Sequence, residues 1–105
     1  MRLKTTKEFN RVYHRSTKTW HTPYFVLFYL NDGEHRVGFV ASKKIGNAVY
    51  RNRAKRLLRA HFIENIERID SGSFALVAKP KLLEVDFLEV KKVYLNTLKK
   101  YYALK

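Results

Sequence analysis

The sequence contains no cysteine, one methionine, two prolines and four glycines among its 105 residues. Without cysteine, the chain forms neither a disulfide framework nor a cysteine-ligated zinc site, and it has no thiol nucleophile. No run of about 18 apolar residues is present, so a transmembrane helix is not expected. The opening residues lack the apolar core of a signal peptide, and we therefore expect a cytoplasmic protein.

Acidic residues are also scarce, since lysine and arginine outnumber them by 22 to 9 and the formal net charge is +13. Hydrophobic residues nevertheless make up 46% of the chain and aromatic residues 14%. A disordered basic tail lacks the apolar residues that offset the loss of chain entropy, so this charge belongs to a folded domain. The length fits a single domain over residues 1–105. The charge indicates a polyanionic partner, with nucleic acid favoured over a membrane surface.

Capping motifs and apolar spacing predict three helices. A Thr-x-x-Glu capping box predicts a first helix over 5–15, and an Asp-x-x-Glu box predicts a last helix from residue 86 onwards. Between them, a long helix is predicted over 47–69. With the strands described next, the order is α-β-β-β-α-β-α, an α+β sandwich in which helices cover a mixed sheet.

Aromatic and β-branched residues predict four strands, over 19–22, 23–30, 36–42 and 74–78. The Asn-Asp-Gly-Glu sequence between the second and third strands is typical of a tight hairpin, so we expect these two strands to pair. Alternation places Tyr24, Val26 and Phe28 on one face of the second strand. Phe25 and Leu27 lie on the other face. Because both faces are apolar, we expect one to pack on helices and the other to line a partly open groove.

The centre of the sequence is basic and has no carboxylate between Glu34 and Glu64. On the long helix, the helical period places Ala54, Leu58 and Phe62 on one buried side. The candidate phosphate-binding residues occupy the other side and the preceding turn: Lys43, Lys44, Arg51, Asn52, Arg53, Lys55, Arg56 and Arg59. Cations near a helix N-terminus oppose the macrodipole at a cost of about 0.3–1 kcal/mol each. We therefore predict a phosphate-binding surface, and a solvated basic face without a ligand is the alternative.

Aromatic residues of the first helix and of the second strand form another candidate surface. Phe9 and Tyr13 share one helix face, and Val26 and Phe28 share one strand face. From this pattern alone, an ordinary hydrophobic core is favoured. The alternative is a groove on which unpaired bases stack.

The residues 36–59 contain Ser-Lys-Lys-Ile-Gly-Asn-Ala-Val followed by Arg-Asn-Arg-Ala-Lys-Arg. This long, ordered run resembles the signature of the bacterial ribonuclease P protein subunit. The opening of that family is matched by Phe9 and Tyr13, its aromatic strand by 25–28, and the end of its last strand by 78–80. The resemblance extends over nearly the whole chain.

For the fold, the resemblance implies one ribonuclease P protein domain over residues 1–105, of the ribosomal protein S5 domain 2-like type. It also implies a left-handed crossover from the third strand through the long helix to the fourth, where the general rule favours a right-handed one. The chain departs from common family residues at Ser16, Ser73, Lys79 and Phe28.

For function, the resemblance implies a subunit of the ribonucleoprotein that removes the 5′ leader from precursor tRNA. In that family the RNA is the catalyst and holds the Mg²⁺, so we expect no catalytic residue, metal site or cofactor on the protein. The expected partners are the catalytic RNA, at one protein per RNA, and precursor tRNA. The residues implied to bind the catalytic RNA are Lys43, Lys44, Arg51, Asn52, Arg53, Lys55, Arg56 and Arg59. The residues implied to line the leader groove, in place of a core, are Phe9, Tyr13, Val26 and Phe28.

Two other classes of function are left open by the residues themselves. Small basic α+β domains are common among ribosomal and other structural RNA-binding proteins. A self-sufficient nuclease is the weaker alternative, because the four histidines form no His-x-x-x-His or Glu-x-x-His pair. We interpret His61 as a residue of the helix face, and the carboxylates as helix caps and solvated groups.

Overall fold

The computed structural model describes residues 6–33, 35–64 and 72–103 of the chain. The helices and strands in these residues are α1 (Thr6–Arg15), β1 (Lys18–His21), β2 (Phe25–Leu30), β3 (His35–Val40), α2 (Ala48–Glu64), β4 (Gly72–Ala78) and α3 (Phe87–Ala103). Short 3₁₀ turns precede α2 at Lys43–Ile45 and α3 at Pro80–Glu84. The predicted order of helices and strands is confirmed. The predicted capping residue Thr5 and the predicted extension of α2 over 65–69 lie outside the described residues.

The strands form one mixed sheet in the order β1-β2-β4-β3 across the described residues. β2 is antiparallel to both β1 and β4, whereas β3 is parallel to β4, with Phe39 opposite Leu76. The predicted pairing of the second and third strands is therefore wrong. The chain does reverse at Gly33, whose φ is +77°, but β4 lies between the two strands. A turn motif specifies only a local reversal, and every residue of β4 except Val77 is buried, so this strand occupies the centre.

Local hydrogen bonds explain two of the strand boundaries that differ from the predictions, the start of β2 and the end of β3. The Thr22 hydroxyl accepts from the backbone N–H groups of Tyr24 and Phe25, at 3.2 and 2.9 Å, and β2 begins only after this turn. Tyr24 precedes the strand and packs with Phe25, so its predicted place beside Val26 is wrong. β3 ends at Val40, since the Ser42 hydroxyl accepts from the N–H of Lys44 at 3.3 Å.

One face of the sheet packs on α2 and α3. Phe25 and Leu76 are fully buried there, against Ala54 and Leu58 of α2. The predicted buried side of α2 is thus confirmed. His61, expected on the helix face, is 1% exposed and stacks on Phe87 of α3 with ring centroids 4.1 Å apart.

The opposite face of the sheet carries α1, which buries only part of it. Val12 of α1 packs on Leu30 of β2 and Ala75 of β4, and all three are buried. Phe9, Tyr13 and Phe28 surround this contact and stay partly exposed. A helix-covered face and a partly open face are therefore both present, as predicted. Within the described part of the chain, every helix is too short or too polar to cross a membrane.

β3 and β4 are joined through α2, which makes this the crossover connection of the fold. The left hand of the crossover stays a prediction of the family resemblance.

Candidate nucleic-acid interface

A small ionic cluster fixes α1 to the sheet. The Asp32 carboxylate, 5% exposed, accepts from Arg11 of α1 at 3.1 Å and lies 3.5 Å from Arg36 of β3. Arg36 also reaches Glu8 of α1 at 3.4 Å. Ser73 completes the cluster, because its hydroxyl donates to Asp32 at 2.9 Å. These contacts tie α1 to the turn after β2 and to β3, and through Asp32 to Ser73 of β4.

Ser16, at the end of α1, is another position where the chain departs from the common family residue. The Ser16 hydroxyl lies 3.1 Å from the Thr19 hydroxyl and 3.5 Å from the carbonyl oxygen of Tyr13. These contacts close the turn between α1 and β1, so a serine is compatible with the turn at this position.

The four predicted groove residues come together beside α1. The rings of Phe9 and Tyr13 have centroids 6.1 Å apart, and Tyr13 meets Phe28 edge-on at 4.9 Å. Tyr13, Val26, Phe28 and Val77 line a depression of about 300 Å³. The lining is almost wholly apolar, as a surface for stacked bases requires.

A second depression of about 350 Å³ shares Tyr13 with the first. It is lined by Phe9, Asn10, Tyr13, Phe39, Val40, Ala41 and Lys55. The two depressions together are called the α1 groove below. Five residues of the α1 groove were not predicted as groove residues from the sequence: Asn10, Phe39, Val40, Ala41 and Val77.

The register of the sheet explains why Val40 and Val77 were missed. Val26 lies opposite Val77, and Val77 lies opposite Val40, so the three form one row across β2, β4 and β3. The apolar alternation within each strand is visible in the sequence. The row itself requires the strand order, which the predicted hairpin had wrong.

Partial burial raises the pKa of the Tyr13 hydroxyl above its ordinary value, because desolvation disfavours the phenolate. The hydroxyl is therefore neutral at physiological pH. A neutral ring edge in the α1 groove does not repel phosphates.

The predicted phosphate-binding residues form a separate surface on α2, called the α2 cationic face. Its exposed members are Lys43, Lys44, Asn52, Arg53 and Arg56, and its half-buried members are Arg51, Lys55 and Arg59. Arg59 lies over the ring of Phe39, with the guanidinium carbon 5.8 Å from the centroid. Within the described residues, no member of this face has a carboxylate within 4.0 Å.

The start of α2 is built by polar caps that hold this surface in place. Gly46 adopts a φ of +134°, which lets the chain turn from the 3₁₀ turn into the helix. The Asn47 side-chain oxygen then accepts from the N–H of Tyr50 at 3.2 Å, a typical helix N-cap. These caps place Lys43 and Lys44 beside the first turn of α2.

Lys55 belongs to both surfaces. It was predicted with the cations that bind catalytic RNA, but it lines the α1 groove together with Phe9 and Tyr13. The α2 cationic face and the α1 groove therefore meet at Lys55. Among the described residues, no group of three or more His, Cys, Asp or Glu side chains is placed to hold a metal ion.

Comparison with known proteins gives consistent matches. The family model for ribonuclease P matches residues 1–102. The ribonuclease P protein component of Nitratiruptor sp. is 54% identical over 88 residues, covering 84% of this chain and 80% of the relative. The corresponding protein of Geobacillus kaustophilus is 37% identical, covering 99% of this chain and 88% of the relative.

Solved structures agree with the sequence matches. The Staphylococcus aureus RNase P protein superposes with a TM-score of 0.83 at 27% identity, covering 95% of this chain and 94% of the other. The Thermotoga maritima RNase P protein gives a TM-score of 0.80 at 32% identity, covering 95% and 96%.

A cationic helix face that meets an aromatic groove on a mixed sheet defines a small RNA-binding subunit of the α+β class. The matches make the assignment specific, and the chain belongs to the ribonuclease P protein family. It is accordingly the protein subunit of a tRNA-processing endoribonuclease, a ribonucleoprotein, and it associates with the ribonuclease P RNA. The ribosomal alternative is set aside by these matches.

Proposed function

We propose that the α2 cationic face binds the ribonuclease P RNA and that the α1 groove binds the 5′ leader of precursor tRNA. The observation that carries this proposal is the meeting of the two surfaces at Lys55. A strand that leaves the groove at Lys55 therefore meets the cationic face. One protein therefore contacts the RNA catalyst and the substrate side by side.

The electrostatics of α2 support the docking half of the proposal. Cations on its first turns oppose the helix dipole, and none has a carboxylate partner among the described residues. The unfavourable interaction with the helix dipole is removed when phosphates neutralise these side chains. Arginine favours this arrangement, because its guanidinium pairs with two phosphate oxygens at once.

The shape of the α1 groove supports the leader half. Both depressions, of about 350 and 300 Å³, are open and carry aromatic rings; the smaller is almost wholly apolar, and the larger adds the polar side chains of Asn10 and Lys55. Each base stacked on such rings contributes about 1–3 kcal/mol with little sequence preference. This is the selectivity that leaders of varied sequence require.

In this proposal the chemical step belongs to the RNA, which holds the Mg²⁺. The protein binds no cofactor, contributes no catalytic group and acts in the cytoplasm at one copy per RNA. Its own contribution is to position the leader and to neutralise phosphates where the two RNAs approach each other. Because these cations replace part of the ionic atmosphere, the assembled enzyme requires less Mg²⁺.

Reconstitution tests the proposal. The full-length protein is assembled with ribonuclease P RNA from the same genome, and precursor tRNA cleavage is measured at low Mg²⁺. We expect the protein to accelerate cleavage and to favour substrates with a leader over substrates without one. Protein alone is the control and should not cleave. Absence of any acceleration would contradict the proposal.

The docking surface is tested separately with Arg53→Ala. Loss of one phosphate contact should weaken binding to the ribonuclease P RNA and lower the magnitude of the log–log salt slope by about one. Arg11→Ala, which removes a cation that is paired within the protein, should leave the slope unchanged. An unaltered slope in Arg53→Ala would remove this residue from the docking surface.

A further inference from the structure

An exposed apolar patch, formed by Val49 and Tyr50, interrupts the α2 cationic face at the first turn of the helix. Val49 is 70% exposed and Tyr50 is 50% exposed, although large apolar side chains are usually covered. This patch is flanked in the sequence by basic and polar residues from Lys43 to Arg56, and that stretch contains no carboxylate. This patch therefore lies inside the proposed RNA surface, and half or more of each side chain is open to solvent.

The ring of Tyr50 is held in place although it is exposed. Its Cδ2 atom lies 3.1 Å from the position that a Cβ on Gly46 would occupy, so the ring rests directly on the backbone of that turn. The N–H of Tyr50 is fixed by the Asn47 side chain at 3.2 Å. A ring fixed in this way loses little further conformational freedom when a flat group packs on it.

The charge of the surroundings selects the occupant. An acidic protein would pair with the cations but offers few flat groups at regular spacing. An RNA strand offers phosphates for Lys44 and Arg53 and, between them, an unpaired base for the ring. Base stacking on an aromatic side chain is favourable for every base and is reinforced by neighbouring cations.

We propose that Tyr50 is a base-stacking residue, which receives an unpaired nucleobase of the ribonuclease P RNA on the α2 cationic face. This inference rests on the proposed function of that face and extends it from phosphate contacts to a base contact. The ring provides contact that does not depend on counterion release. Its contribution to affinity is therefore independent of salt, unlike that of Arg53.

The experiment compares Tyr50→Leu and Tyr50→Phe in the full-length protein, with affinity for the ribonuclease P RNA measured across a salt series. Tyr50→Leu should weaken binding about tenfold at every salt concentration, without a change in the log–log slope. Tyr50→Phe should bind as the parent protein does. Both substitutions keep a side chain against Gly46, and leucine has a high helix propensity, so folding is retained.

Two outcomes would overturn the inference. Parent-like affinity in Tyr50→Leu would show that the ring receives no base. Equal losses in Tyr50→Leu and Tyr50→Phe would assign the contact to the hydroxyl instead. Arg53→Ala in the same series separates failure of the docking surface from failure of the stacking contact. A parent-like salt slope in Arg53→Ala would contradict the docking surface itself. A lowered slope in Arg53→Ala, together with parent-like affinity in Tyr50→Leu, would contradict only the stacking role of Tyr50.

A second measurement does not depend on a difference in affinity. A photoreactive benzoyl-phenylalanine at position 50 keeps an aromatic ring, and irradiation of the assembled complex should crosslink it to an unpaired nucleotide of the RNA. The same group at Leu88, an apolar residue of α3 that is 68% exposed, is the matched control. A crosslink at position 50 that is absent, or confined to base-paired stems, would contradict the stacking role.

Discussion

Two groups of arginine side chains in this protein have opposite surroundings. Arg11 and Arg36 are paired with the carboxylates of Asp32 and Glu8 at distances from 3.1 to 3.5 Å. The arginines of α2 have no carboxylate partner within the described residues. The paired group lies where α1 meets the sheet, and the other group lies on the face proposed to bind RNA. The same residue type thus has a structural role in one place and a proposed binding role in the other.

The difference shows what distinguishes a binding arginine from a structural one. Arg36 and Arg53 both belong to the stretch that has no carboxylate in the sequence. Arg36 nevertheless finds two partners, because β3 brings it beside the turn and α1. Proximity to a carboxylate in the folded protein, rather than the composition of the neighbouring sequence, decides which arginines stay unpaired and available to a polyanion.

The largest expected effect comes from breaking the paired group with Asp32→Ala. Removal of one partner from a buried ion pair costs about 3–5 kcal/mol. We expect about 3 kcal/mol, since the Arg11 side chain is 45% exposed and recovers hydration. Urea unfolding measures the loss, with Arg53→Ala as the control that should change stability by less than about 0.5 kcal/mol. Similar stabilities for the two variants would remove the distinction between the groups.

The next effect is on the α1 groove, which lies beside the same helix as the paired group. Phe9→Ala removes one of its aromatic rings and should weaken binding of leader-bearing precursor tRNA to the holoenzyme by about 1–3 kcal/mol. Affinity for the ribonuclease P RNA should be unchanged. Equilibrium binding of substrates with and without a leader measures the difference. An equal loss of affinity for both substrates would indicate that Phe9 supports the hydrophobic core and does not contact the leader.

The meeting point of the two surfaces gives a smaller and more selective effect. Lys55→Gln should weaken binding of leader-bearing substrate by about 0.5–1 kcal/mol more than binding of leaderless substrate, because Lys55 lines the α1 groove. Arg56→Gln is the matched control, since this exposed neighbour does not line the groove. It should affect both substrates alike. Identical behaviour of the two variants would place Lys55 outside the leader site.

The smallest expected change in stability comes from giving the unpaired group a carboxylate. Asn52→Glu places an acid near the N-terminus of α2 and four residues before Arg56. It should stabilise the protein by about 0.5 kcal/mol through the helix dipole and the new pair. Binding to the ribonuclease P RNA should become weaker, because the acid competes with phosphate. Thermal unfolding and filter binding measure the two opposite changes, and tighter RNA binding would contradict the proposed role of this face.

Much of the site was predictable because its helices follow a local period. The buried side of α2 and its cationic face both follow from a repeat of about 3.6 residues, which needs no knowledge of the rest of the chain. Phe9 and Tyr13 share a face for the same reason. The family motif at 36–59 could also be recognised from the sequence, since it is contiguous.

The sheet was less predictable because strand neighbours are not local. The turn at 31–34 predicted a hairpin, but β4, from more than forty residues later in the chain, occupies the place between β2 and β3. The row of Val26, Val77 and Val40 exists only in that order. Tyr24 was assigned to the wrong face, because the Thr22 turn interrupts the alternation before β2 begins.

By itself, the sequence determined the basic character of the protein, the two sides of α2, the aromatic residues of α1 and the family. These properties depend on composition and on spacing within single helices or strands. Only the tertiary structure decided that Arg36 is paired, that Lys55 enters the α1 groove and that β4 separates β2 from β3. Such contacts join residues far apart in the chain, and the burial of the whole sheet selects among the pairings that local patterns allow.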